Sequence, residues 1–541
     1  MNSTDKLLLH QRLPSSFHID YPNVGALLAA QAKAAPTKTF LICPGSTREE
    51  YTYAEFLELM TKTARYLQSR GLKKGDRINL IIPNCAEFLL LYFAALSLGI
   101  TVVPINEDLA PKEMSFIIND SGSKIVFYDP GYQHKVTEFT SLIPSTTEVC
   151  DVGRYPDFLP LTQAPDAELV PADVEWTDIG IIIYTSGTTG NPKGVVLTHM
   201  SMLADAKALS ERLSFSAKTR TMTILPMFHN NGQIVTLMTP LYAGGSVVLT
   251  KGKVSLMSFW GLIQKYEVSW TSVMPAILSI LLSLKAERKD QSLEGIICGG
   301  QPLTKAVQQS FEDRFKVPVF EGYGLTESTA YASFSDHPAE KRKTGSIGRA
   351  LPCNHMAVLD ENGNEVPHGT EGEICMRGLN VANEYLGLPE RNRTSFANGW
   401  FHSGDFGHMD ADGYFYFGSR KDHMIIRGGE NIYPAELENV IFEHPAVAEV
   451  AVIGVPDKLL GEAIVAFVKL HDDAQTTPQE LASFCTGKIA LFKQAREIYI
   501  IDHLPNIDAL PKGPTKKVLY RELKDYYQTK LPPECNHPSK P

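Results

Sequence analysis

Tyr184-Thr185-Ser186-Gly187-Thr188-Thr189-Gly190-Asn191-Pro192-Lys193-Gly194 is the stretch on which the reading of this chain turns. Ile181, Ile182 and Ile183 precede it, and Val195, Val196 and Leu197 come after it. Short apolar runs bounded by turn residues predict buried strands, so the segment reads as strand, polar loop, strand. Between Ser186 and Gly194 stand three hydroxyl side chains, three glycines and one lysine. Glycine lets backbone N–H groups approach an anion, while hydroxyls and an ammonium add donors. A plain turn needs no such density of donors, and a polyphosphate ligand does. It is not the P-loop, in which Gly-Lys precedes Ser or Thr. Here Lys193 lies between Pro192 and Gly194, and the GxGxxG dinucleotide pattern is absent.

On either side, helices and strands alternate. Tyr53–Arg70 carries apolar residues at helical spacing (Phe56, Leu57, Met60, Ala64, Leu67), with Gly71 as C-cap. Strands are predicted at Arg77–Ile82, Thr101–Pro104 and 124–128, with helices at Cys85–Leu98 and Lys112–Asp120 between them. Residues 129–175 show little periodicity and read as surface connections. Past Gly194, helices are predicted at Ser201–Leu213, Gly232–Leu241, Ser255–Lys265 and Ala276–Leu284, and strands at Thr221–Leu225, Ser246–Leu249, Trp270–Val273 and Ile296–Cys298. Apolar strands alternating with helices imply a largely parallel sheet covered on both faces. Phe88–Ile105 is uncharged over 18 residues, the lower edge of membrane-spanning length, but Gly99 and Pro104 interrupt it. It reads as a buried helix and strand. From Met356 onward short strands with Gly/Asn turns indicate a β subdomain, and after Gly428 the pattern becomes α+β.

The 541 residues exceed one ordinary core, so two or more domains are expected. A net charge of −10 argues against a nucleic-acid partner, which needs a basic face. Eight dispersed cysteines with no CxxC pair read as reduced thiols of an intracellular, cytoplasmic protein. The 15 histidines show no metal-ligand spacing. No signal-peptide pattern opens the chain, and it does not end in Ser-Lys-Leu.

Further segments carry chemistry. Gly299-Gly300-Gln301-Pro302-Leu303 comes directly after a strand, and its paired glycines let a flat ring lie on the backbone. Phe320-Glu321-Gly322-Tyr323-Gly324-Leu325-Thr326-Glu327-Ser328 offers a ring to stack on a base, a hydroxyl for a phosphate, and in Glu327 an oxygen ligand for Mg²⁺. Gly399-Trp400-Phe401-His402-Ser403-Gly404-Asp405 places a carboxylate directly after a glycine. Ser419 through Glu436 and Leu510 through Leu523 are glycine- and lysine-bearing junctions.

Taken together and in this order, these segments resemble the core motifs of adenylate-forming enzymes: acyl-CoA synthetases, luciferases and peptide-synthetase adenylation domains. The likeness runs from about Tyr51 to Leu523. It implies an α/β fold with a large N-terminal domain of doubly wound mixed sheets plus a β subdomain (residues 1–421), and a small mobile α+β C-terminal domain (422–541) hinged at Asp422. It implies that Thr185, Ser186, Gly187, Thr188, Thr189, Gly190 and Lys193 cradle phosphates. Gly300, Gln301, Pro302, Glu321, Gly322, Tyr323 and Gly324 would surround the adenine, and Asp405 and Arg420 would meet ribose or phosphate. Gly428 and Gly429 would line a pantetheine tunnel, Thr326 and Glu327 would act at the phosphates, and His229 would gate the acyl site. Lys517 would stabilise the adenylation transition state, with Lys516 a competitor because it replaces the family's usual glycine. Ser403 stands for the family's threonine, Ser419 for its glycine, and His423 for an acidic residue often found there. Asn230-Asn231 stands where amino-acid-activating relatives carry aspartate. The implied activity converts a small carboxylic acid and Mg·ATP to acyl-AMP and then to a thioester with CoA or with a carrier protein's phosphopantetheine. Ser272, Val273 and Met274 suggest an uncharged pocket, and so an apolar or weakly polar, medium-length or aromatic acid.

Overall fold

The computed structural model describes residues 8–12, 17–185, 192–251, 256–420, 423–427, 430–457, 460–486, 488–513 and 518–531. The opening stretch is built as its sequence predicts on both flanks. Strand β1 (Ile179–Thr185) pairs antiparallel with β2 (Lys193–Thr198), Thr185 opposite Lys193. Ser186 through Asn191 lie outside the described residues. Helix α1 (His199–Arg212) begins directly after β2, its first turn capped by the Thr198 hydroxyl accepting from the Ser201 N–H.

β1 and β2 belong to a seven-stranded sheet that continues parallel through Thr101–Pro104, Arg77–Ile81, Ile125–Tyr128 and Glu148–Asp151. The last of these lies inside the stretch read from sequence as surface connection. Glu148–Asp151 is an edge strand, only one of its four residues is buried, and so it shows no apolar run. A second, nine-stranded sheet holds β3 (Gly295–Gly299) and β4 (Val319–Tyr323) in parallel register, Cys298 opposite Glu321 and Gly299 opposite Gly322. Its antiparallel additions lie at the edges, so both sheets are mixed rather than purely parallel.

The apolar run at Phe88–Ile105 is the helix Ala86–Ser97 and the strand Thr101–Pro104. Every residue from Ala86 to Leu96 is buried, in one cluster with Phe40 and Val247 of the nine-stranded sheet and Val102 and Ile181 of the seven-stranded one. That run is hydrophobic all round because it fills the space between two sheets. No helix among the described residues is long and apolar enough to cross a membrane.

The predicted helix at Gly232–Leu241 is a π-helix over Asn231–Met238, continued by a short α-helical turn at Thr239–Tyr242. Side chains satisfy carbonyls that a π-helix frees. Thr221 Oγ1 donates to Thr236 O (2.6 Å) and Thr239 Oγ1 to Ile234 O (2.9 Å), while Gln233 Nε2 ties the helix to Met227 O (2.8 Å) in the chain ahead of it. Apolar periodicity cannot distinguish this from an α-helix because the whole segment is buried.

A four-stranded antiparallel sheet carries β5 (Gly372–Gly378), β6 (Phe401–Met409) and β7 (Phe415–Arg420). A last sheet, with strands between Ile425 and Ile500, packs against α2 (Pro434–Phe442) and α3 (Tyr520–Lys530). Lys421, Asp422, Gly428 and Gly429, and Pro514 through Lys517, lie outside the described residues.

Candidate active site

The site forms where β1, β3 and β4 end and the antiparallel β2 begins, at the strand ends that open α/β sheets use for ligands. The segment from Val319 to Tyr331 is its hub, and each neighbouring motif is tied to it by a specific bond.

Lys193, at the start of β2, reaches Glu327 in the turn after β4, Nζ to Oε1 2.8 Å. The same ammonium donates to the Tyr385 hydroxyl (2.9 Å), and that hydroxyl donates to Glu327 Oε1 (2.6 Å). Lys193 Nζ also lies 4.1 Å from the centroid of the Tyr385 ring. Burial alone would push the Glu327 carboxyl up, but the Lys193 ammonium and the two hydrogen bonds outweigh it and hold it below the ordinary carboxylate range. Tyr385 gives no signal in the sequence, since it lies far along the chain from both partners. The two-residue strand Glu384–Tyr385 pairs with β2, Tyr385 opposite Val195, and register alone brings it there.

At the other end of the hub, the Tyr323 hydroxyl donates to Asp405 Oδ2 (2.6 Å), joining β4 to β6. Arg420 Nε stands 3.4 Å from Asp405 Oδ1. The Asp405 N–H donates to Ser403 Oγ (2.9 Å), so serine serves at this position by holding the turn. Asp405 is buried and Arg420 half-buried, a charge pair whose outer face meets solvent.

The glycine turn after β3 is bound to the same hub. Leu303 N–H donates to Glu321 Oε1 (3.4 Å). Burial pushes the Glu321 carboxyl up to about 8, against that one hydrogen bond. Gly300 has φ +81° with open space around it, an exposed left-handed position beside half-buried Gln301 and exposed Pro302. Gly322 and Gly324 are required by contact. A Cβ on Gly322 would sit 2.4 Å from the Phe334 ring, and one on Gly324 1.8 Å from Ala330 O.

His229 is half-buried, its ring 4.4 Å from that of Phe228. The next residue, Asn230, donates to Thr326 O (3.4 Å) and to Thr329 O, so the His229 segment is bonded to the Thr326–Glu327 turn. Asn84 fixes the other side, accepting from Met227 N–H (2.8 Å) and donating to Leu225 O (3.0 Å). Thr329 has φ +66°, costly for a β-branched residue. It is held there by Asn230, by its own hydroxyl donating to Asn380 O (2.7 Å), and by neighbouring bonds from Asn380. Asp205 on α1 accepts from Ala330 N–H (2.7 Å) and Tyr331 N–H (3.0 Å), and burial pushes its carboxyl up to about 8. Neither Asp205 nor Asn380 carries a sequence signal, since each acts through backbone groups of a distant turn.

Lys512 pairs with Val518 in an isolated antiparallel bridge. The Tyr520 hydroxyl, at the start of α3, donates to half-buried Glu438 Oε1 (3.1 Å), and its ring lies 4.4 Å from that of His423. Ser186, Gly187, Thr188, Thr189, Gly190, Gly428, Gly429, Asp422, Lys516 and Lys517, all expected at the site from sequence, lie outside the described residues. Among the other expected residues, the structure brings Lys193, Thr326 and Glu327 together, Tyr323 with Asp405 and Arg420, and Glu321 with the Gly300–Pro302 turn. His402, read from sequence as solvent-facing or structural, is half-buried and bonded to Glu373 (2.9 Å).

A two-sheet body carrying a lysine–carboxylate pair, an aromatic–carboxylate pair and a glycine turn on one hub has the organisation of a nucleotide-activating enzyme. Residues 28–386 match the AMP-binding enzyme family, and residues 436–509 match the AMP-binding enzyme C-terminal domain. The chain is 34% identical over 514 residues to the long-chain-fatty-acid–CoA ligase FadD13 of Mycobacterium tuberculosis, covering 94% of this chain and 99% of that protein. It is 32% identical over 500 residues to the oxalate–CoA ligase of Arabidopsis thaliana, covering 90% of this chain and 96% of the other. Among solved structures, o-succinylbenzoate coenzyme A synthetase (MenE) from Bacillus subtilis in complex with ATP and magnesium ion matches with a TM-score of 0.81 at 29% identity, covering 93% of this chain and 99% of that one. The chain belongs to the AMP-binding, adenylate-forming enzymes, in their acyl-CoA synthetase branch.

Proposed function

We propose that this chain joins a carboxylic acid to CoA through an acyl-adenylate, consuming ATP and releasing AMP and pyrophosphate. The observation that carries the reading is the convergence of the Lys193–Glu327–Tyr385 and Tyr323–Asp405–Arg420 clusters on one hub. In the first half-reaction a carboxylate oxygen attacks the α-phosphorus and the bond to the β-phosphate breaks. Charge gathers on the pyrophosphate, and ammonium groups aimed at it lower the barrier. Lys193 supplies one such group and Lys517 the other. Thr326 donates to a phosphate oxygen, and Asp405 accepts from the ribose hydroxyls beside Arg420. Glu327 is a hard oxygen donor suited to Mg²⁺. When bound there, the ion would offset polyphosphate charge.

In the second half-reaction the CoA thiol attacks the acyl carbon and AMP leaves. Rotation of the C-terminal domain (residues 422–541) about Asp422 withdraws Lys517 and presents Gly428 and Gly429 to the pantetheine. His229, beside the turn that bears Thr326, separates the acyl and thiol sides. Ser272, Val273 and Met274, at the end of the strand Trp270–Val273, carry no charge, which supports an apolar or weakly polar, medium-length or aromatic acid. The seven described cysteines are free and buried, which supports a reducing, cytoplasmic setting.

Pyrophosphate release is measured across short, medium, long-chain, aromatic and amino acids, with and without CoA. Release with one acid class, accelerated by CoA and accompanied by thioester, is the expected result. Adenylate without thioester would move the acceptor to a carrier protein, and no release with any acid would sink the reading. Lys517→Ala is expected to abolish the first half-reaction, whereas Lys516→Ala leaves most of it.

A further inference from the structure

Glu373, Cys375 and His402 meet on one face of the β5–β6 pair, beside the Ser403–Asp405 turn of the nucleotide site. Their spacing along the chain gives no metal signature, because the third residue comes from another strand. Cys375 stands opposite His402 in the ladder, and Glu373 lies two residues before Cys375, so strand alternation places both on the same side. His402 Nδ1 donates to Glu373 Oε2 at 2.9 Å, and Cys375 Sγ lies 3.4 Å from the same nitrogen. All three ligand atoms fall within 4.8 Å of one another. The second His402 nitrogen, Nε2, is buried and has no hydrogen-bond partner among the described residues.

We infer that Glu373, Cys375 and His402 form a binding site for a borderline-soft divalent cation of the zinc class. One sulfur, one imidazole nitrogen and one carboxylate oxygen are the donor set such ions prefer, and a hard ion such as Mg²⁺ does not. The geometry needs little change. An ion about 2.0–2.3 Å from each atom would see the oxygen–nitrogen and nitrogen–sulfur separations under angles of roughly 90–105°, within reach of tetrahedral coordination. The Glu373 and His402 side chains are 20% and 24% exposed, which gives the ion a path in and leaves the fourth position to water. Glu373 Oε1 is used separately, accepting from Gly404 N–H (2.9 Å), and can keep that bond while Oε2 takes the ion. As the sulfur–metal bond forms, the thiol proton leaves to solvent. The imidazole stays neutral, its proton passing from Nδ1 to Nε2, and no electrons are transferred.

The test uses the full-length, metal-stripped protein titrated with Cd²⁺. The ultraviolet cadmium–thiolate charge-transfer band and the bound metal after dialysis are read together, with circular dichroism as a check of folding. One equivalent bound with a thiolate band is expected. Cys375→Ser loses the band, His402→Gln and Glu373→Gln weaken binding at least tenfold, and Cys485→Ser leaves it unchanged. Should Cys375→Ser fail to fold, His402→Gln on its half-exposed residue decides the question alone. No thiolate band in the folded parent, a band that survives in folded Cys375→Ser, or parental affinity in His402→Gln would overturn the site. None of these readouts depends on acyl-CoA synthesis.

Discussion

Replacing Lys193 by Met tests the structure where its charges are most concentrated. The substitution keeps the length and apolar stem of the side chain and removes the ammonium. Glu327, only 6% exposed, then loses the Lys193 counter-charge and keeps a hydrogen bond from Tyr385. Removing one partner of a buried ion pair costs about 3–5 kcal/mol, and with Tyr385 still in place the lower end, about 3 kcal/mol, is expected. Most of that loss is the cost of an uncompensated buried carboxylate. The double variant Lys193→Met/Glu327→Gln should therefore recover about 2 kcal/mol of it. Urea unfolding of the parent, both single variants and the double variant completes the cycle. The pH dependence gives a second check. In the parent, Glu327 is held below the ordinary carboxylate range, so its stabilisation is present above the unfolded value of 4.5 and is lost as pH falls through the lower folded value. In Lys193→Met burial acts unopposed by the ammonium, the carboxyl value rises, and the deficit should narrow as the solution is acidified and Glu327 takes up a proton. A Lys193→Met protein as stable as the parent near neutral pH, or a deficit that Glu327→Gln does not relieve, would refute the reasoning.

Three further outcomes are expected. Glu321, raised to about 8 from 4.5, favours the fold most below the unfolded value and loses that advantage as pH climbs through the folded value. Glu321→Gln should match the parent at about pH 5 and exceed its stability by on the order of 2–4 kcal/mol at about pH 9, as read by urea unfolding. Gly324→Ala, whose Cβ would meet Ala330 O at 1.8 Å, should fail to accumulate as folded protein, while Gly300→Ala, strained in φ but unobstructed, should cost about 1 kcal/mol. Tyr323→Phe removes the hydroxyl that steadies Asp405 and should raise the KM for ATP several-fold with little change in the KM for the acid, by initial-rate measurement.

The sequence is most legible where one side chain or one period settles the matter. β1 and β2 on either side of the Gly/Thr stretch, the largely apolar helix at Ala86–Ser97 and the strand carrying Tyr323 are all marked by dense runs of buried apolar residues. Asp405 is legible as a carboxylate directly after a glycine, and Glu327 as one within the Tyr-Gly-Leu-Thr-Glu run. The features that escape a reading of the sequence depend on register between distant segments. Tyr385 acts because a two-residue strand pairs with β2, and Glu373 meets His402 because β5 pairs with β6. Asp205, Asn84 and Asn380 hold backbone groups of other turns, so nothing in their own neighbourhood signals it. The edge strand Glu148–Asp151 lacks an apolar run because an edge strand need bury little.

The π-helix at Asn231–Met238 has a consequence for how such a protein can change. A helix whose N–H groups reach back five residues stores a surplus residue against the α-helical pitch. Removing a single residue such as Val235 would let that pitch resume while the chain on either side, His229 included, keeps nearly its place, because the wide turn had absorbed the extra residue. The hydroxyls of Thr236 and Thr239 and the amide of Gln233 keep the surplus in place. A one-residue deletion in this segment should therefore be tolerated where the same deletion in a regular helix, turning the flanking chain by about 100°, would not be.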